Sequence, residues 1–481
     1  MKTLMIAAMS SGAGKTVTTC AILAALKKRG VKLSAFKCGP DYIDPMFHER
    51  VLDIPSRNLD LFLQGEAGVL KTLARTDAGL ALIEGAMGYY DGLNNTCEAS
   101  AWELARLTKT PVILVLPPNG GLTLAAQVKG LDVFRPDSAI AALILSNCPE
   151  QRAASLIAML ERETGLPVLG FLPPMEEARF ESRHLGLLTA REITDLAARL
   201  EKLGEAAERS IDLDRLMELG KAFPLRGRWH PASPASRMTD EVSASPSVPG
   251  LSEAVSSTSS APSGHLPLEG KAKPRIAVAR DEAFCFTYAD NLNALMDAGA
   301  ELLFFSPLHD LELPISDGLY LPGGYPELQA QKLSGNAPMR ESIAAAVRAG
   351  LPTLAECGGF LYLGQSLEDE QGCAHPMCGV LPGQGFRTAR LQRFGYQTIL
   401  APADSLLFRK GERIPAHEFH YWDCTENGAD LRSIKADGRS WDCGFASPSL
   451  YAAFPHLHFG GAAPLAERFV KACEQWKASM N

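Results

Sequence analysis

Six short apolar runs, LMIAAM, KLSAFK, LALIEG, PVILVL, AALILS and PVLGFL, recur between Leu4 and about residue 200. Each is bounded by glycine, proline or polar residues and is separated from the next by a longer amphipathic stretch. Fully apolar runs of strand length alternating with helical patterns predict βαβ units and a mostly parallel sheet buried on both faces. From about Gly227 to Lys271 that pattern stops. HPASPASRMTDEVSASPSVPG and SSTSSAPSG are rich in Ser, Pro and Ala with little to bury, which reads as a flexible linker. RIAVARDEAF then restarts an α/β pattern. The expected organisation is an α/β domain over 1–200, a helical connection over 201–226, the linker over 227–271 and a second α/β domain over 272–481.

At 481 residues the chain exceeds one ordinary core, so two or three domains are expected. A net charge of -8 argues against a nucleic-acid or anionic-membrane surface. No stretch approaches the ~20 apolar residues of a spanning helix, and the short run after Lys2 reads as a first strand rather than a signal peptide. Eleven cysteines scattered through apolar segments fit reduced thiols in a cytoplasm.

The loop SSGAGKT, Ser10 to Thr16, joins the first strand to a helix-like segment. Such a turn aims backbone N–H groups of Gly12 and Gly14 at phosphate, with Lys15 reaching the terminal phosphates and the Thr16 hydroxyl ligating Mg²⁺. The match to a P-loop is partial, because Met9 stands at the first glycine position. Glu84 ends the strand of LALIEGAMG, where a Mg²⁺-directing acid belongs, and Gly85 and Gly88 suggest close backbone approach. In FKCGPDYIDP, Lys37 ends the second strand and Asp41 and Asp44 follow on the same sheet edge. These read as metal and phosphoryl ligands: Asp41 for Mg²⁺, Lys37 and Asp44 for substrate.

SSGAGKT, FKCGPDYIDPMFH, PSRNLD, EGAMGYYDG and RHLGLLTARE, in that order, resemble the ATP-binding domain of the cobyrinic acid a,c-diamide synthase family, relatives of dethiobiotin synthetase. ARDEAFCFTYADNL, LYLPGGYPELQA, AECGGFLYL and HEFHY resemble that family's class I glutamine amidotransferase domain. The resemblance implies a P-loop NTPase-like sheet domain followed by an α/β glutaminase domain. It also implies amidation of the a and c acetate side chains of a corrinoid, with ATP and glutamine as substrates and Mg²⁺ as cofactor. No nucleic-acid or membrane partner is implied, and a homodimer is left open.

AECGGFLYL sets Cys357 at a tight strand-to-helix turn, where an exposed thiol at a helix N-terminus is expected to have a lowered pKa. Gly358 leaves room for substrate and supplies a backbone N–H for an oxyanion. LPGGYPE adds a second glycine turn, with Gly323 or Gly324 as the other donor. By resemblance to triad-type amidotransferases, YAAFPHLHF puts His456 at the base position and His458 where the glutamate would stand. Cys20, Cys285 and Cys473 read as inert core residues, and Cys373 and Cys378 as loop cysteines rather than a zinc site. In HEFHY, His417, Glu418 and His420 read as structure or substrate contact in preference to metal. Arg183 and His184 are read equally as polycarboxylate contacts or a structural ion pair. Asn147 is a candidate for adenine recognition, and Pro117 stands where family members often carry an Asp.

Three alternatives stay open. One is the same diamidation on another tetrapyrrole, hydrogenobyrinic acid or nickel-sirohydrochlorin. Another is cobyric acid synthase-type amidation, adding four amides rather than two. The third, of a different class, is a partition-type ATPase switch with an inactive amidotransferase module.

Overall fold

The computed structural model describes residues 1–178, 190–222, 273–461 and 463–480. The Ser/Pro-rich stretch 227–271 lies outside the described residues, as do Arg183 and His184. Both α/β halves belong to one compact unit.

Among the described residues the first half builds an eight-stranded sheet from β1 (Lys2–Ala8), β2 (Leu33–Cys38), β3 (Ser56–Leu59), β4 (Leu80–Glu84), β5 (Val112–Leu116), β6 (Ile140–Leu145), β7 (Val168–Phe171) and β8 (Lys221–Ala222). The order is β3-β2-β4-β1-β5-β6-β7, all parallel, with β8 antiparallel on β1. All six expected runs are strands. The seventh strand, β3, is the polar SRNL, which has no apolar signature because its neighbours, rather than its own side chains, set its pairing. Leu4, Ile6 and Ala8 pack into one core layer and Met5 and Ala7 into the other, so helices cover both faces. The helix Lys15–Lys28 follows β1 directly and runs against the helix Ala190–Ser210, where a Cβ on Gly204 would come 2.9 Å from Ala24 Cβ.

In the second half β9 (Arg275–Ala279), β10 (Glu301–Phe305), β11 (Gly318–Leu321) and β12 (Thr353–Glu356) are parallel. A separate, mostly antiparallel layer contains β13 (Ser366–Glu368), β14 (Ala374–Pro376), the long pair β15 (Gln384–Leu400) and β16 (Arg413–Cys424), then β17 (Leu431–Ile434) and β18 (Ser440–Cys443), with β13 parallel to β15. The chain returns through β19 (Phe445–Ser447) and β20 (Leu450–Ala453), giving the order β10-β9-β11-β12-β20-β19, and ends its strands with β21 (His456–Leu457) on β16. β20 is parallel to β12 and β19 antiparallel to β20. The carboxyl ends of the adjacent strands β11, β12 and β20 thus deliver three loops, Pro322–Gly324, Cys357–Gly358 and Phe454–His456, to one edge.

The halves meet through aromatic and ionic contacts. Tyr42 stacks on Phe286 and Tyr288, with ring centroids 5.1 and 4.4 Å apart. Tyr288 donates to Pro40 O (3.2 Å), Tyr396 donates to Asp60 Oδ2 (2.7 Å), and Arg57 and Arg75 pair with Asp290 and Asp297. No helix among the described residues is long and apolar enough to cross a membrane. All eleven cysteines are free.

Candidate active site

At the carboxyl edge of the first sheet, β1 opens into the glycine loop, β4 ends on Glu84, and Lys37 is the last residue but one of β2, which ends on Cys38. Gly14 adopts a φ of 95° and packs so closely that a Cβ would meet Ser146 Cβ at 2.9 Å. Lys15 Nζ donates to Ser10 O (2.9 Å) and Met87 O (2.5 Å), curled back along the loop. Burial, then the neighbouring Lys37, lowers its pKa to about 8. Thr16 Oγ1 donates to Glu84 Oε1 (2.6 Å), which also accepts from Lys37 Nζ (2.8 Å). Lys37 further pairs with Asp44 and lies 4.0 Å from Asp41.

Burial raises Glu84, and the Asp44 charge raises it further against the pull of Lys37. Its Oε2 is buried without a hydrogen-bond partner among the described residues. Hard oxygen donors gathered beside a phosphate loop suit Mg²⁺, which is held by one or two carboxylates plus substrate phosphates. Asp91, absent from the sequence-derived set, accepts from Gly88 N (3.1 Å) and faces the same space. Asn147 is exposed beside the loop at a φ of 50°, outside the lining of the main cavity.

Cys357 sits between β12 and the helix Gly358–Leu363 with φ 48° and ψ −102°, a strained elbow like those that thrust a nucleophile out of a sheet edge. Its N–H donates to Ala453 O (2.8 Å), and Leu361 N donates to its carbonyl (3.0 Å). Gly323 stands between the thiol and an imidazole: a Cβ there would lie 2.5 Å from His456 Cε1, 3.3 Å from Nε2 and 3.4 Å from Cys357 Cβ. A Cβ on Gly358 would come 3.1 Å from Gly324 N, so these two glycine backbones are neighbours at the same corner.

The expected lowering of the Cys357 thiol pKa does not hold. Burial, then Glu327 and Glu418, pushes it well above its ordinary value, and the Gly358 N–H offsets only part of this. A six-residue helix carries too little dipole to overcome desolvation. His456 is also buried and is held neutral, with its pKa down to about 3 through burial and then His417 and His420. Its Nδ1 has no partner among the described residues. His458, at the triad's glutamate position, instead accepts from Gly460 N through Nδ1 (3.0 Å) and packs on Tyr288.

What anchors the His456 segment is Glu356, which the sequence reading passed over. It is buried, raised to about 7 by that burial, and accepts from Leu457 N (2.8 Å) and Tyr320 Oη (2.9 Å). A carboxylate directly before CGG was the available signal. Of the HEFHY set, His417 pairs in register with His456 across β16 and β21. Glu418 links Gln397 (2.6 Å) to His420 (2.7 Å), and the His420 ring stacks on Phe454 at 3.8 Å.

One cavity of about 1580 Å³ is lined by both centres, including Lys15, Thr16, Lys37, Asp41, Asp44 and Glu84 from the first half and Gly324, Cys357, Gly358 and His456 from the second. Tyr42, between Asp41 and Asp44 in sequence, has its ring 5.1 Å from that of His456.

Residues 4–188 match the CobQ/CobB/MinD/ParA nucleotide binding domain, and residues 275–464 match the CobB/CobQ-like glutamine amidotransferase domain. The chain is 39% identical over 470 residues to the cobyrinate a,c-diamide synthase of Listeria innocua, covering 95% of this chain and 96% of that one. It is 37% identical to that of Thermoplasma volcanium (98% and 97% covered) and 36% to that of Clostridium acetobutylicum (98% and 100%). With two matched domains in the same order and relatives aligned over nearly their whole length, this chain belongs to the cobyrinate a,c-diamide synthase family of glutamine-dependent ligases.

Proposed function

We propose that the chain converts the a and c acetate carboxylates of cobyrinate to amides, with ATP driving each step and glutamine supplying nitrogen. The observation that carries this reading is the single cavity faced by the phosphate loop at one end and by Cys357 and His456 at the other. In the proposed division the first half forms the synthetase and 272–481 the glutaminase; the expected boundary at 200 falls inside the helix Ala190–Ser210, and the expected helical connection 201–226 packs its described residues, β8 included, onto the first half.

At the synthetase end a substrate carboxylate oxygen attacks the γ-phosphorus of ATP, forming an acyl phosphate and releasing ADP. The Gly12 and Gly14 turn and Lys15 hold the phosphates, and Lys37 with Asp44 orients the carboxylate. Thr16, Glu84 and Asp41 would hold Mg²⁺, which neutralises phosphate charge when bound. At the other end the Cys357 sulfur attacks the glutamine amide carbon. Thiol and imidazole are both neutral at the outset, so the proton passes to His456 as the S–C bond forms rather than beforehand. The N–H groups of Gly324 and Gly358 stabilise the oxyanion. His456 returns the proton to the leaving nitrogen, NH₃ departs, and water later hydrolyses the thioester to glutamate. Ammonia attacks the acyl phosphate carbon, expelling phosphate and giving the amide.

Two amides, rather than the four of cobyric acid synthase-type chemistry, are the reading that the relatives' name, cobyrinate a,c-diamide synthase, supports. Cys357→Ala tests the division of labour. It should abolish glutamine-dependent amidation and retain amidation from high ammonium at pH ~8.5, where more ammonia is unprotonated. Unchanged use of glutamine would make the thiol structural and end the proposal.

A further inference from the structure

The antiparallel layer of the second half turns a distinctive face toward the shared cavity. Along β16 the odd positions are open and the even ones buried, so Arg413, His417, Phe419 and Tyr421 lie on one face. Phe394 on β15 joins them, its ring 5.4 Å from Phe419, which is in turn 6.1 Å from Tyr421. These three rings line the cavity yet remain 58%, 45% and 44% exposed, an apolar surface that the fold itself leaves uncovered.

Three cations line the same cavity. Lys435 is buried and its Nζ donates to the carbonyl of Phe394 (2.8 Å), with burial lowering its pKa to about 8 against the pull of the Glu418 carboxylate. Arg413 pairs with no carboxylate among the described residues, and the Arg387 guanidinium donates to the carbonyl of Glu370 (2.9 Å). In a chain of net charge -8, three cations that face one cavity and form no ion pair within 4.0 Å among the described residues, although Glu370 and Asp437 share the lining, mark a place for anionic groups. Tyr396, from the same strand pair, connects this wall to the activating end. Its hydroxyl meets Asp60 (2.7 Å) and lies 3.6 Å from where a Cβ on Gly39 would be, next to the loop carrying Asp41 and Asp44.

We infer that this face is the docking surface for a flat polycarboxylate macrocycle. Its ring lies on Phe394, Phe419 and Tyr421. The carboxylates not being amidated are held by Arg413, Lys435 and Arg387, which leaves one acetate free to reach Lys37 and Asp44. The inference rests on the proposed function for its occupant and adds the residues that select it. Rings supply sequence-independent stacking area, while guanidinium groups favour carboxylates. A fully amidated macrocycle would gain only the first.

The test is equilibrium binding of cobyrinate to the full chain, followed by its visible absorbance. Arg413→Ala and Phe419→Ala should each raise the Kd about tenfold and Arg413→Glu about a hundredfold, with Arg413→Lys close to the parent. Added salt should weaken the parent more than Arg413→Ala, because only the parent retains that ion contact. Thermal unfolding of each variant confirms its fold, and Arg387→Ala provides an independent second probe. If the parent binds and amidates cobyrinate while all these variants keep its Kd, the docking face is wrong and the proposed function stands. If the parent binds no cobyrinate, the substrate assignment itself fails, and the docking inference with it.

Discussion

Gly323→Ala is a sharper probe of the glutaminase corner than removal of either reacting side chain. The added methyl carbon would sit 2.5 Å from His456 Cε1, whereas carbon atoms in contact settle at about 3.5 Å or more. The imidazole must therefore retreat by about 1 Å, because the methyl is fixed to the backbone and the ring is the part that can move. Gly323 is not among the glycines with positive φ, so no backbone strain complicates the substitution. A misplacement of about 1 Å costs on the order of a hundredfold in rate, or about 2.7 kcal/mol of transition-state stabilisation. Initial rates of glutamate release and of amide formation from glutamine should both fall by about that factor. Amidation from ammonia should persist, since the phosphate loop and Glu84 are untouched. Glutamate release within threefold of the parent, in protein of unchanged unfolding temperature, would mean that His456 does not act from its place beside Gly323.

Lys15→Ala should remove amidation with either nitrogen source, because the triphosphate loses its cation in a part-buried loop; near-normal amide formation from ATP would overturn the phosphate-loop reading. The Glu327 carboxyl gives a pH test. Burial raises its pKa from 4.5 to about 8, so the folded chain keeps a proton that the unfolded chain releases above about 4.5. Folding stability then declines as pH rises toward 8. Glu327→Gln should accordingly unfold at a higher temperature than the parent at pH 8 and show no such advantage at pH 4.5. A shift of equal size at both values would show that Glu327 is not buried as a protonated acid.

The sheets were legible wherever burial on both faces left a continuous apolar run, as in LALIEG and PVILVL. β3 escaped because SRNL pairs by position rather than by hydrophobicity. Residues at the sheet edges were legible too: Lys15, at the start of the helix after the glycine loop, and Lys37, Glu84 and Cys357, at or next to strand ends, stand near glycines that mark a corner. The environment of those residues was not. Whether the Cys357 thiol is lowered or raised depends on how deeply the other elements enclose it, and burial outweighs the helix end. The register that sets His417 opposite His456 joins segments 39 residues apart and leaves no local signature. The wall of Arg413, Phe419 and Lys435 likewise exists only once β15, β16 and β17 pair.

The most direct test of the central claim is product analysis after incubating cobyrinate with ATP, Mg²⁺ and glutamine labelled with ¹⁵N at the side-chain amide. Mass spectrometry should find two amides, both labelled, with one ADP and one glutamate formed for each. ATP and glutamine hydrolysis without labelled amide, or a product carrying four amides, would contradict the account.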